Sequence, residues 1–250
     1  MLAIGQRGML NFDITLSHTT SLQQGETKSS NTSTLNPLLE MSKLLSKLYN
    51  LDKIYITFFY YNVEKAKQET EIRRYGTNLE YKTITRSTHK NHTILTPTLD
   101  ITGIISFPKF EKSTTIPKKV IANLEMHLVP HQRYAEIING LQQWLKLIVP
   151  QQLKAELLVH EACNPCKFEL QNPYTQKAIT LLSGLLKTPL EYQQNLYGLK
   201  AVEQLQKSVC PILISLPFAS EESGIGRANE HLTTETVKKA LDFCMAFFGK

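Results

Sequence analysis

Thiols, imidazoles, carboxylates and a run of aromatic rings are the groups in this sequence that could do chemistry. Cys163 and Cys166 form a Cys-Asn-Pro-Cys pair, a spacing used in zinc knots and in thiol redox motifs. A zinc knot needs two more ligands at matching spacing, and no second Cys-x-x-Cys exists. The pair therefore reads as a Pro-containing turn with two reduced thiols. His127 and His131 are four residues apart, but Pro130 between them breaks any helix that would put both on one face. His18, His89, His92, His160 and His231 are spread out and read as surface or packing residues. Glu221, Glu222 and Glu230 gather carboxylates near the C-terminus and read as solvated acids, with Glu230 serving a helix dipole. Glu161 beside Cys163 completes no triad. Tyr55 and Phe58 to Tyr61 could stack bases, but read as core and interface rings.

Composition bounds the rest. The 250 residues allow one large domain or two small ones. At 42% hydrophobic and 20% charged, the chain is an ordinary globular protein. Its net charge of +6 is scattered, so it permits an acidic partner without demanding one. No apolar run approaches the ~18 residues of a membrane helix. Arg7 and Asn11 interrupt the apolar start, which does not read as a signal peptide. A cytoplasmic protein with no membrane contact is expected.

The elements that must position these groups follow from periodicity. Residues 9–18 alternate as a half-buried strand, and 19–34 read as an exposed polar loop. Asn36-Pro37 opens a helix to about Asn50, with Leu38, Met41, Leu44, Leu45 and Leu48 inward. Residues 54–61 could form a short strand, and 64–92 a loop or short helix. Strands are predicted over 98–107 and 118–129, then a helix over 133–148 with Ile137, Leu141, Trp144, Leu145 and Ile148 inward, then a strand over 153–160. This order predicts a ferredoxin-like α+β sandwich, an antiparallel sheet with two helices on one face. Beyond His160 the pattern predicts helices over 172–187 and 198–207 and a fully buried strand over 211–217. A last helix from Thr233 carries Val237, Ala240, Leu241, Cys244 and Phe248 inward.

Short motifs along the chain then resemble one family in order. They are Gly5-Gln-Arg-Gly8 before a strand, Asn36-Pro37 before a helix, Phe59-Tyr-Tyr-Asn-Val63, Pro97-Thr-Leu-Asp-Ile-Thr-Gly-Ile104, Thr115-Ile-Pro117 and Leu128-Val-Pro130, closed by Ile225 and Asn229-Glu230. Together they resemble the two-zinc metallopeptidases that include carnosinase, succinyl-diaminopimelate desuccinylase and carboxypeptidase G. The resemblance implies a lid, or dimerisation, domain over 5–160 and an α/β C-terminal piece of the catalytic domain over 161–250. It also implies that the N-terminal catalytic half, which carries most zinc ligands and the general base, lies outside this sequence.

At the family's functional positions the residue types change. The resemblance puts a zinc-binding His at Gly226, which has no side chain to offer a metal. It puts a substrate-contacting lid His at Gln23, which cannot carry a proton or charge. It puts a carboxylate-binding Arg at His127, which lacks the bidentate fork. It puts a pocket-forming Gly-Ser-Ile-Pro at Gly198-Leu-Lys200-Ala, which keeps only the glycine. A loop that is glycine-rich in the family runs here from Ser106 to Thr114 without a glycine. The expectation is a non-catalytic or truncated relative of a zinc dipeptidase or aminoacylase, with no catalytic residue, metal or cofactor of its own, acting as a homodimer through the lid or a heterodimer with a full-length relative. Two alternatives stay open: a subunit of a split peptidase, with zinc and the catalytic half supplied by another chain, and a basic binding module for an acidic partner such as RNA. Against the latter, the Lys/Arg-Gly-Phe-Gly-Phe pattern of RNA-binding sheets of this fold is absent.

Overall fold

The computed structural model describes residues 2–19, 35–50, 53–56, 59–60, 97–107, 116–186, 192–195, 198–216, 218, 223–224 and 228–249. The expected loops at 19–34 and 64–92 lie almost wholly outside them, as do Gln23, Gly226, His89, His92, Glu221, Glu222 and residues 108–114.

The first body begins with strand β2 (Gly8–His18), which follows a short strand β1 (Leu2–Gln6). Helix α1 (Pro37–Leu48) comes next, where Asn36 Oδ1 accepts from the Leu38 amide at 3.0 Å and Pro37 sets the first turn. Its Met41, Leu44, Leu45 and Leu48 are buried, while Leu38 is exposed rather than inward. A short hairpin, β3 (Tyr49–Asn50) with β4 (Lys53–Ile54), reaches only the first residue of the strand expected over 54–61, of which residues 57, 58 and 61 lie outside the described residues. There Tyr60 Oη accepts from the Ile54 amide and residues 59–60 form a turn. Phe59 is buried, while Tyr55 and Tyr60 are exposed.

Strands β5 (Thr98–Phe107) and β6 (Lys119–Leu128), helix α2 (Tyr134–Ile148) and strand β7 (Leu153–Cys163) complete this body. The sheet runs β5-β6-β2-β7, antiparallel throughout. Helix α1 lies on β2 and β6, and α2 on β2 and β7. This is the expected ferredoxin-like sandwich. Alternation explains the core: Leu10, Phe12, Ile14 and Leu16 of β2 meet Val120, Ala122, Leu124, Met126 and Leu128 of β6, all fully buried under the helices.

The second body is a smaller α/β unit. Strand β8 (Cys166–Lys167), helix α3 (Pro173–Leu186), strand β9 (Tyr192–Asn195), helix α4 (Lys200–Ser208) and helix α5 (Thr234–Phe248) follow in order. Its sheet runs β8-β1-β9, with β1 antiparallel to β8 and parallel to β9. Residues 2–6 therefore pair with segments more than a hundred and fifty positions away. Over 211–216 the expected buried strand does not form: Pro211 is exposed, residues 212–216 are only partly covered, and the Ala3 amide donates to Ser215 O at 3.1 Å. Pro211 and Pro217 at its ends lack the N–H that a ladder uses. Helix α5 also turns a different face inward. Phe243 is buried, stacked on Phe247 at 5.6 Å and near Phe218 at 6.3 Å. Val237, Leu241, Cys244 and Phe248 are exposed, with Met245 at 66% and Phe248 at 79%.

Candidate functional site

The positions singled out by residue type converge on the junction between the bodies. The chain crosses from β1 to β2 at Arg7, and back from β7 to β8 through Asn164-Pro165. The backbones pass so closely that two glycines are required. A Cβ on Gly8 would lie 2.7 Å from Pro165 Cδ and 2.8 Å from Cys163 O. A Cβ on Gly198 would overlap Arg7 O, meet Cys163 Sγ at 2.8 Å and reach Gly8 C at 3.1 Å. Gly198 thus has a packing duty here. Lys200, two residues on, is exposed at the start of α4.

Gln6 ties the same junction. Its Nε2 donates to Leu199 O at 2.9 Å, and its Oε1 accepts from the Leu199 amide at 3.2 Å. Cys163 and Cys166 are free and buried beside it. Burial pushes the Cys163 thiol up to about 11 and also raises Cys166. Both stay protonated at neutral pH, which suits packing and not nucleophilic attack.

His127 lies on β6, opposite Met9 of β2 and Thr98 of β5. Its Nε2 is 3.6 Å from Glu125 Oε1, and its carbonyl accepts from Arg7 Nη2 at 2.8 Å. Burial and the Arg7 charge lower the imidazole pKa, against the smaller pull of Glu125 and Asp100. It is neutral at pH 7. A neutral imidazole cannot form the ion pair that an arginine makes with a carboxylate. Arg7 itself is 3% exposed, and burial brings its pKa down to about 10, opposed by Asp100. It remains charged, so the cation of this region sits one strand away from His127 and is spent on a backbone carbonyl. In the sequence Arg7 stands out as a break in the apolar start and as part of Gly5-Gln-Arg-Gly8, and neither signals this duty.

On the open face of the sheet, Asp13 accepts from Asn123 Nδ2 at 2.6 Å and lies 2.8 Å from His160 Nε2. His131 takes a positive φ of 70° after Pro130, and Lys167 Nζ lies 3.4 Å from its Nε2. His127 and His131 do not share a helix face, as Pro130 implied. Glu230 is exposed. Among the described residues, no three His, Cys, Asp or Glu side chains come together to hold a metal ion.

Fold and junction define a two-body α+β chain: a ferredoxin-like lid joined by two close crossings to an α/β piece. Residues 4–152 match the sequence profile of the peptidase dimerisation domain, and the chain belongs to that family. No curated protein matches it in sequence. Among solved structures it is similar to an M20 family metallo-carboxypeptidase from Sulfolobus solfataricus, with a TM-score of 0.77 and 18% identity over 99% of this chain and 59% of that one. Human carnosine dipeptidase 1 gives 0.72 and 16%, over 99% of this chain and 55% of that one. The dipeptidase Dug1p from Saccharomyces cerevisiae gives 0.72 and 17%, again over 99% and 55%. The likeness is one of fold, and this chain spans 55% to 59% of those relatives' length. Among the described residues, no helix is long and apolar enough to cross a membrane.

Proposed function

We propose that this chain is a non-catalytic relative of the zinc dipeptidase type of metallohydrolase, acting by pairing and not by hydrolysis. The observation that carries the reading is His127. It occupies the position where the resemblance puts a substrate-binding arginine, yet it is partly buried and held neutral. Gly198 and Lys200 support it, because the one is consumed by backbone packing and the other points to solvent. Gly226 and Gln23, by residue type, offer neither a zinc ligand nor a proton carrier.

Pairing is supported by the dimerisation-domain family and by the edge of the lid sheet. Among the described residues strand β5 ends the sheet, and its Ile101, Ile104 and Phe107 are exposed, as are Leu38 and Leu39 of α1. A lid homodimer, or a heterodimer with a full-length relative, would cover these residues. A cytoplasmic setting agrees with four cysteines that are all free thiols.

Zinc analysis together with dipeptide hydrolysis by the purified chain tests the reading. Neither is expected, and zinc at one or two equivalents with turnover would replace it with the enzymatic one. A salt-dependent RNA gel shift would replace it with the nucleic-acid one.

A further inference from the structure

Glu203 is a buried carboxylate with no part in the proposed pairing. It lies on α4 in the second body and is 6% exposed. Its Oε2 accepts from the Asn164 backbone amide at 3.0 Å, and its Oε1 accepts from the Asn164 side-chain amide at 2.8 Å. Lys207, one helical turn on, brings its Nζ to 2.5 Å from the same Oε1. Asn164 also faces the lid. Its Oδ1 accepts at 3.2 Å from the amide of Tyr134, the first residue of α2. Helix α2 has no side-chain cap from Arg133, so Asn164 supplies that cap from thirty positions away. One carboxylate of the second body is thereby linked, through one asparagine, to the start of a lid helix.

We propose that Glu203 and Asn164 form a latch that fixes the angle between the lid and the second body. The bodies share two covalent crossings, and α4 with its leading residue holds both: Leu199 grips Gln6 beside the first, and Glu203 grips Asn164 at the second. The Gln6 contact is made of neutral groups and does not titrate. The Glu203 contact is charge-assisted and accepts from three donors, which a protonated carboxyl could not do in the same geometry. Burial alone would raise the Glu203 pKa, but the bonds from Lys207 and Asn164 outweigh it and hold the carboxyl below its ordinary range. The groups that face Glu203 are Lys207 on α4, Asn164 in the turn, Cys163 at the end of β7 and Cys166 in β8, with Tyr134 of α2 beside Lys207. Lys207 supplies the positive charge, and its own pKa is raised by the bond to Glu203. The latch is therefore closed at neutral pH and opens in acid, and this holds whether or not the chain hydrolyses anything.

The test is single-molecule energy transfer on the whole chain. One dye goes on Cys244 and its partner dye on a Lys146→Cys variant, both exposed positions, in a Cys210→Ser background. The wild type gives one narrow distance population at pH 7. Glu203→Gln and Asn164→Ala broaden or split it, while Lys207→Ala, which leaves the Asn164 bonds in place, does not. Acidification below the ordinary carboxylate range broadens the wild type and leaves Glu203→Gln unchanged from its own neutral profile. Should either variant fail to fold, the acid arm on the wild type decides alone. An unchanged narrow population in the variants, or in acid while the chain stays folded by circular dichroism, overturns the latch.

Discussion

The guanidinium of Arg7 donates a 2.8 Å hydrogen bond to the carbonyl of His127, joining the link between β1 and β2 to the end of β6. One charged side chain thus holds the entrance of the lid sheet and adds to burial in depressing the pKa of the imidazole whose backbone it grips. Replacing Arg7 with Met should keep the volume and lose the bond. A charge-assisted bond to a buried acceptor is worth about 2 kcal/mol, so the urea midpoint should fall by that equivalent. Arg7→Lys should recover only part, because an ammonium cannot reproduce the guanidinium geometry.

The two kinds of glycine should respond oppositely to one methyl group. Gly198→Ala drives a Cβ into Arg7 O and Cys163 Sγ, and should cost about 3 kcal/mol of unfolding free energy. Gly184 lies inside α3 with nothing near its absent Cβ. Gly184→Ala should stabilise by about 0.5–1 kcal/mol through helix propensity. Thermal melts of both variants check the pair.

Acid sensitivity should come partly from histidines that the fold keeps neutral. Burial lowers the pKa of His18, and burial with Arg7 lowers that of His127, below the ordinary 6.5 of an imidazole. A folded pKa below the unfolded one means that the unfolded chain binds protons first. The stability these groups contribute is complete above pH 6.5 and is lost as pH falls through their lower folded values. NMR titration should place the His127 midpoint below 6.5, and His127→Gln should flatten the loss of melting temperature between neutral and mildly acid pH.

Ile104→Lys on the edge strand β5 should disrupt pairing. It places a charge beside exposed Ile101 on the edge strand, on the face shared with its β6 partners Leu124 and Ala122 but at a position that is itself exposed. Light scattering should give a dimer mass for the wild type and a monomer mass for the variant, with unchanged circular dichroism.

Thiol counting should return two and then four. Cys210 and Cys244 are exposed and should react with an aromatic disulfide within minutes. Cys163 and Cys166 are buried with raised pKa values and should react only after denaturant is added.

The lid was largely legible because its sequence obeys one period at a time. Strand β6 alternates without exception from Val120 to Leu128, and Asn36-Pro37 carries the cap geometry of α1 in its residue types. Strand β1 was not legible because Leu2, Ala3, Ile4, Gly5 and Gln6 are all buried, so neither alternation nor a polar face marks it. Helix α5 carries apolar residues around more than one face, and only the tertiary fit selects Phe243 and Phe247 over Val237 and Leu241. His127 was found by its place in a motif, but its pKa is lowered first by its own burial and then by Arg7, and no local pattern announces either. The Glu203–Asn164 contact joins residues thirty-nine positions apart, beyond the reach of any helical or strand period.

Strand β1 also has a kinetic consequence. Its first residue, Leu2, pairs with Tyr192, so β1 must wait for a segment made far later before its sheet can close. The lid, assembled from strands and helices that finish at Cys163, can condense first. Closing so long a loop carries a modest entropic cost but a slow search, which should make docking of the second body a late step in folding. Until then Leu2, Ala3 and Ile4 stay uncovered, and refolding yield should depend on keeping chains dilute during that interval.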